Sequence, residues 1–129
     1  MMKQNLKVLI CDDSILIRKK LRSVLEKCKI EEIIEAENGV IAVELAKEHN
    51  PDLIFMDIVM PDKDGIEALK DIKAFNSETK VVMASSAGTS DHLKEALANG
   101  AFDFIQKPIS LESVTLLIEK VLKEESANV

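Results

Sequence analysis

The chain of 129 residues lacks any run of about 18 consecutive apolar residues, the length a helix needs to cross a bilayer, so no membrane-spanning helix is expected and a soluble protein is. It also lacks the sequences GxxxxGK[ST], GxGxxG, HExxH and GxSxG, which removes the nucleotide-cradling loop, the dinucleotide fold, the helical zinc protease and the serine hydrolase elbow. Cysteine is scarce. Cys11 and Cys28 form no CxxC pair and have no histidine cluster beside them, so neither a zinc site nor a disulfide framework is indicated, and both are expected to be reduced thiols. Met1 to Lys7 has no apolar core of a signal peptide, which leads to the expectation of a cytoplasmic protein. The net charge of -6 gives no basic footprint for direct nucleic acid binding.

What is present suits one compact unit. With 47% hydrophobic and 31% charged residues, the chain has enough apolar mass for one core and no room for two. No linker or low-complexity segment divides it, so residues 1–129 read as a single domain with a core at about 6–123 and a polar tail, 124–129, expected to fray. Met1 and that tail read as natural chain ends, with a fragment of a longer protein as the alternative to a stand-alone domain.

Five short apolar runs recur along the chain: Leu6 to Cys11, Ile30 to Ala36, Leu53 to Asp57, Lys80 to Ser85 and Ala101 to Gln106. Four are continuous rather than alternating, the pattern of strands covered on both faces. Between them the spacing predicts helices. Ile17, Leu21, Val24, Leu25 and Cys28 make one apolar stripe, with Arg18, Lys19, Arg22 and Lys27 on the other side and Ser14 as N-cap. Val114, Leu117, Ile118, Val121 and Leu122 make the last stripe, entered through Pro108 and Ser110. Asn38-Gly39, Asp64-Gly65 and Asn99-Gly100 punctuate other transitions. Strands alternating with helices imply an α/β fold, a doubly wound (βα)5 sandwich with a five-stranded parallel sheet, whose ligands lie beyond the carboxyl ends of the strands.

Those ends carry the chemistry. The first run ends in Asp12, Asp13 and Ser14, the third in Asp57, the fourth in Ser85 and Ser86, and the fifth in Lys107 and Pro108. Three carboxylates at one rim repel unless a cation joins them, and hard oxygen donors of this kind suit Mg²⁺, with Mn²⁺ as a substitute. Beside a lysine and a hydroxyl, Asp57 becomes the candidate to receive a phosphoryl group, with Lys107 neutralising its oxygens and Ser85 donating a hydrogen bond. Each residue also has an ordinary reading alone: Asp12 and Asp13 as helix caps, Asp57 as a turn residue, the serines as strand ends and Lys107 as a solvated side chain. A calcium loop aligned on Gly65 fails, because Met60 would hold its first ligand position and Asp71 its last. Asp62, Asp64 and Gly65 read instead as turn residues, with Pro61 stiffening the exit from the strand and Gly65 supplying a positive φ.

Taken together, VLICDDS at 8–14, LIFMDIVMPDKDGIEAL at 53–69, VVMASS at 81–86 and GAFDFIQKP at 100–108 resemble the receiver domain of two-component response regulators, the CheY-like family, over about Lys7 to Leu122. The resemblance implies the flavodoxin-like strand order 2-1-3-4-5. It also implies Asp57 as phosphoacceptor, Asp12 and Asp13 as the acidic pair for Mg²⁺ with the Val59 backbone carbonyl as a further ligand, and Lys107 as the phosphoryl contact. Ser85 rather than Ser86 matches the hydroxyl that moves toward the phosphoryl group, Phe104 the aromatic that swings inward with it, and the Lys107-Pro108 bond is expected to be cis. Val59 and Ala87 take the positions whose side chains influence water attack on the acyl phosphate; both are apolar here and orient no water. A histidine kinase or phosphotransfer protein is the implied donor. The implied output is a changed affinity for a protein partner on the face of helix 4, strand 5 and helix 5, roughly Ser90 to Glu124, in a chemotaxis-type or phosphorelay pathway. On this reading the protein is no enzyme toward external substrates and catalyses only its own phosphorylation and dephosphorylation. Two alternatives stay open. A haloacid-dehalogenase-type phosphohydrolase would need an acid where Ser14 stands, and a phosphate-independent interaction module would not need Asp57.

Overall fold

A computed structural model describes residues 5–60, 63–86 and 90–127. Strands and helices alternate throughout: β1 (Lys7–Cys11), α1 (Ile15–Lys27), β2 (Glu32–Ala36), α2 (Gly39–His49), β3 (Leu53–Asp57), α3 (Gly65–Phe75), β4 (Lys80–Ser85), α4 (Ser90–Ala98), β5 (Asp103–Gln106) and α5 (Leu111–Ala127). The strands form one parallel sheet in the order β2-β1-β3-β4-β5. Burial on both faces explains why β1, β3 and β4 read as unbroken apolar runs. Successive side chains of a strand point to opposite faces. Val8, Ile10, Phe55 and Val82 join one core with Leu21, Leu25, Val114 and Val121 of α1 and α5. Leu9, Cys11, Met56 and Met83 join the other, with Ala42, Leu69 and Ala96 of α2, α3 and α4. The edge strands β2 and β5 carry charges and are only partly buried, which discourages pairing with another chain.

Two strands are shorter than the apolar runs suggested. Ile30 closes the end of α1, its N–H donating to the Leu25 carbonyl at 3.1 Å, so β2 starts at Glu32. Ala101 likewise caps α4 by donating to Ala96 at 3.0 Å, so β5 starts at Asp103. At the other extreme, α5 runs to Ala127, past the start of the expected frayed tail at 124. Nothing between Lys123 and Ala127 is a helix breaker.

Ser14 is the N-cap of α1, accepting a hydrogen bond from the Ile17 amide at 3.3 Å. The Asn-Gly and Asp-Gly pairs do more than punctuate. Asn38 accepts from Ile41 at 2.9 Å and Asp64 from Glu67 at 2.9 Å, so they cap α2 and α3. Gly65 corrects an expectation: among the described residues Gly100, at 99°, has a positive φ and Gly65 does not. Gly65 is required for space: a Cβ there would lie 2.1 Å from the carbonyl oxygen of Asp57. Pro61, Asp62 and Ala87, singled out above, lie outside the described residues. The Lys107-Pro108 bond is cis.

Candidate functional site

The strand order reverses between β1 and β3, and the carboxyl ends of these two strands flank the crevice where such sheets bind ligands. Asp57 is the last residue of β3, while Asp12 and Asp13 follow β1 directly. One carboxylate oxygen from each of the three lies within 4.8 Å of those of the other two. Asp12 and Asp57 are buried, at 3% and 7% exposure, whereas Asp13 faces solvent. The cluster is therefore a pocket with a dry floor and a wet side.

Lys107 leaves the end of β5 and inserts its ammonium between two of these acids. Its Nζ lies 2.9 Å from Asp12 Oδ2 and 3.2 Å from Asp57 Oδ1. Burial lowers the Lys107 pKa, but the hydrogen bond to Asp12 and the charges of Asp57 and Asp12 outweigh it and hold the pKa above the usual lysine value. Asp57 is pushed up, first by burial and then by the charge of Asp12, with Lys107 pulling the other way. Two like charges about 4 Å apart repel by about 4 kcal/mol at an effective dielectric of about 20. Three carboxylates against one ammonium leave a negative surplus that a divalent cation would offset. The donors are all hard oxygens and one side is open to water, so Asp12, Asp13 and Asp57 fit a Mg²⁺ ion that keeps several waters.

Asp12 is held on every side. Its carboxylate accepts from the Ser14 amide through Oδ1 at 2.9 Å and from Lys107 through Oδ2, and its own N–H donates to Ala36 at 3.2 Å. Cys11, one residue earlier, keeps its proton. Burial, followed by the charges of Asp12 and Asp57, pushes its thiol up to about 12, and Sγ approaches the Asn38 carbonyl at 3.3 Å. Both cysteines are free.

Ser85 ends β4, and its 2% exposure contrasts with the exposed Ser86 that follows. Its carbonyl accepts from the Lys107 amide at 2.7 Å, which ties the hydroxyl-bearing strand to the lysine-bearing loop. Val59 sits on the turn after β3 with 61% exposure. Phe104 is 42% exposed and lines a surface groove of about 510 Å³ with Gln106, Ser113, Leu116 and Lys120. It is therefore no core aromatic here.

Arg18 and Arg22 stand on the side of α1 away from its apolar stripe, yet they are not simply solvated. Instead both hold Glu35 of β2, Arg18 Nε at 3.0 Å and Arg22 Nε at 2.6 Å, and Arg18 Nη1 donates to the Asp12 carbonyl at 2.6 Å. Burial acts to raise the Glu35 pKa, but the hydrogen bonds from Arg22 and Arg18 outweigh it and hold the carboxyl below the usual range. Two arginines four apart on α1 and a glutamate within an apolar run were the only signals of this cluster in the sequence.

Residues 8–119 match the family model described as response regulator receiver domain. The chain belongs to that family. Among curated proteins, this receiver is 43% identical to the chemotaxis protein CheY of Bacillus subtilis (strain 168), over 90% of this chain and 97% of that one. It is 47% identical to the chemotaxis protein CheY of Halobacterium salinarum, over 89% and 95%. Among solved structures, the receiver domain of NtrX from Brucella abortus superposes with a TM-score of 0.84 at 30% identity, over 91% of this chain and 98% of that one. In the longer NtrX chain the match spans 97% of this receiver but 28% of NtrX, with a TM-score of 0.89 and 28% identity. A receiver domain protein from Clostridium thermocellum shares the fold with a TM-score of 0.90 at 22% identity. Receivers of this family are phosphoacceptor modules of two-component signalling. Among the described residues, no helix of this one is long and apolar enough to cross a membrane.

Proposed function

We propose that this receiver is a phosphorylation switch in the cytoplasm, taking a phosphoryl group on Asp57 from a phosphohistidine of a kinase or phosphotransfer protein. The observation that carries this reading is Asp57 at a strand end with one carboxylate oxygen each of Asp12 and Asp13 within 4.8 Å and the Lys107 ammonium bridging Asp57 and Asp12. An Asp57 carboxylate oxygen attacks phosphorus, an O–P bond forms, and the P–N bond breaks with its electron pair returning to the donor imidazole. Asp12, Asp13 and Asp57, with the Val59 carbonyl, would hold Mg²⁺. Bound there, the ion supplies positive charge that lets two anions meet.

Lys107 orients the Asp57 carboxylate before transfer and pairs with the phosphoryl oxygens after it. Ser85, at the end of the neighbouring strand, donates its hydroxyl to the new group. The inner part of β5 follows, and Phe104 leaves its exposed position to fill the space behind Ser85. Phe104 and Leu116 share one groove, and Leu97 is also exposed on α4, so inward movement of the ring reshapes an apolar output face for a protein partner. The relatives named for chemotaxis favour a chemotaxis-type pathway over other phosphorelays. Hydrolysis of the acyl phosphate by water resets the switch, with no hydrogen-bonding help from the apolar Val59 side chain.

The test is intact-protein mass after incubation with acetyl phosphate and Mg²⁺, beside Asp57→Asn and a chelator control. A single phosphoryl gain that needs both Asp57 and the metal supports the switch. No gain by folded, Mg²⁺-bound protein would overturn it in favour of a phosphate-independent module.

A further inference from the structure

Arg18 belongs to neither the acidic cluster nor Lys107, yet it is tied to both the sheet and the metal-facing loop. Its side chain is 13% exposed, unusual for an arginine near the start of a surface helix. One arm reaches Glu35 across β2, and the other donates to the carbonyl of Asp12 at 2.6 Å. Arg22 grips the second oxygen of Glu35 at 2.6 Å and donates to the Ile33 carbonyl at 3.1 Å, so the glutamate is fixed from both sides.

The position of that carbonyl matters. Asp12 lies just past the last paired residue of β1, where Cys11 faces Ala36 and Met56, so the sheet ladder does not fix the peptide that joins Asp12 to Asp13. A peptide unit is planar and rigid. Pinning its oxygen sets the plane, and the plane sets the direction in which Asp13 leaves and where its carboxylate falls. The Ser14 amide, by donating to the Asp12 carboxylate, closes a turn that runs through this peptide, Lys107 holds only the carboxylate, and Arg18 holds the peptide oxygen itself.

We infer that Arg18, held in place by Glu35 and Arg22, is a positioning residue that orients the Asp12-Asp13 peptide so that both carboxylates can share a divalent cation with Asp57. This deepens the phosphorylation-switch reading and rests on it. Arg18 touches no reacting atom. Its effect is on how tightly the acidic pair holds the ion, and through that on phosphorylation at limiting metal.

The test measures Mg²⁺ binding directly, by calorimetry or amide chemical shifts without any phosphoryl donor, well below the melting temperature of each variant. Loss of an outer-shell partner weakens metal sites by about 10- to 100-fold, so Arg18→Met should raise the Mg²⁺ dissociation constant about tenfold. Arg18→Lys, which keeps the charge but not the fork, should fall between Arg18→Met and the unaltered protein. Lys19→Met, which removes a neighbouring exposed charge from the same helix, should leave the affinity unchanged. With acetyl phosphate, the Arg18→Met rate should recover at saturating Mg²⁺, which a general loss of structure would not allow. Unchanged affinity in folded Arg18→Met, or an equal loss in Lys19→Met, overturns the role of Arg18 while leaving the switch intact. Should Arg18→Met not fold, Arg18→Lys and Glu35→Gln are judged by the same criterion. Unaltered protein that binds no Mg²⁺ would overturn the reading of the site itself, and the inference with it.

Discussion

The two ends of the sheet treat their polar groups in opposite ways. Where the strands begin, every named group meets a complement. The Lys7 amide donates to Asp52 Oδ2 at 2.9 Å, and Lys73 donates to the Ser77 and Thr79 carbonyls at 2.7 and 2.9 Å. The buried Thr79 hydroxyl donates to the Pro51 carbonyl at 3.1 Å. Where the strands finish, three carboxylates crowd around one ammonium, two of them buried. The first end contributes stability. The second gives some up, as the proposed binding of a cation and then an anion requires, since such a site must hold charges that do not cancel beforehand.

Gly65→Ala should break the comparison most severely, because the added methyl must displace the backbone of Asp57. Overpacking against backbone is expected to cost about 3 kcal/mol, read by urea unfolding, with phosphoryl uptake falling in parallel. Saturating Mg²⁺ should narrow the difference between the ends by relieving the acidic one. At 100 times its dissociation constant a ligand stabilises by about 2.7 kcal/mol, seen as a rise in melting temperature that Asp13→Asn diminishes. At the other end, Thr79→Val should cost about 1–2 kcal/mol by stranding the Pro51 carbonyl, with Mg²⁺ affinity unchanged. An equal loss of Mg²⁺ binding in Thr79→Val would show that the two ends are not separable.

The smallest expected effect is on the pH dependence of stability without metal. The Asp57 pKa is raised in the fold, so the native state binds this proton more tightly than the unfolded chain. Stability from this group is present below the ordinary aspartate range and is lost as pH rises through the raised value. Glu35 has the opposite sign: its depressed pKa gives stability above the ordinary glutamate range that is lost as pH falls through the depressed value. Asp57→Asn should therefore flatten the fall in stability as pH rises through the raised value, and raise the melting temperature above it.

Much of this was written in the order of residues. β1, β3 and β4 had to be apolar without interruption to be covered on both faces, and each stops at a polar side chain: Asp12 just past Cys11, Asp57 and Ser85. That made the parallel sheet, its rim and the acidic pair legible before any coordinates. Gly65 was visible as a glycine but not for its reason, since the close approach of Asp57 is a distance between elements rather than a local preference. Phe104 could be a core ring or a surface one, because in an edge strand the choice depends on whether α5 covers it, and here it lies beside a groove.

Local sequence therefore determined which segments are strands and helices and which chemical groups stand at their ends, because backbone propensity, capping and apolar period act over a few residues. Only the tertiary structure decided that Lys107 bridges Asp12 and Asp57, that Glu35 is gripped by two arginines, and that Arg18 reaches the carbonyl of Asp12. Those contacts join different elements, and even Arg18 and Asp12, close in the chain, meet across the turn from β1 into α1. Their geometry depends on how the helices are seated against the sheet, and that seating is set by the two cores as a whole.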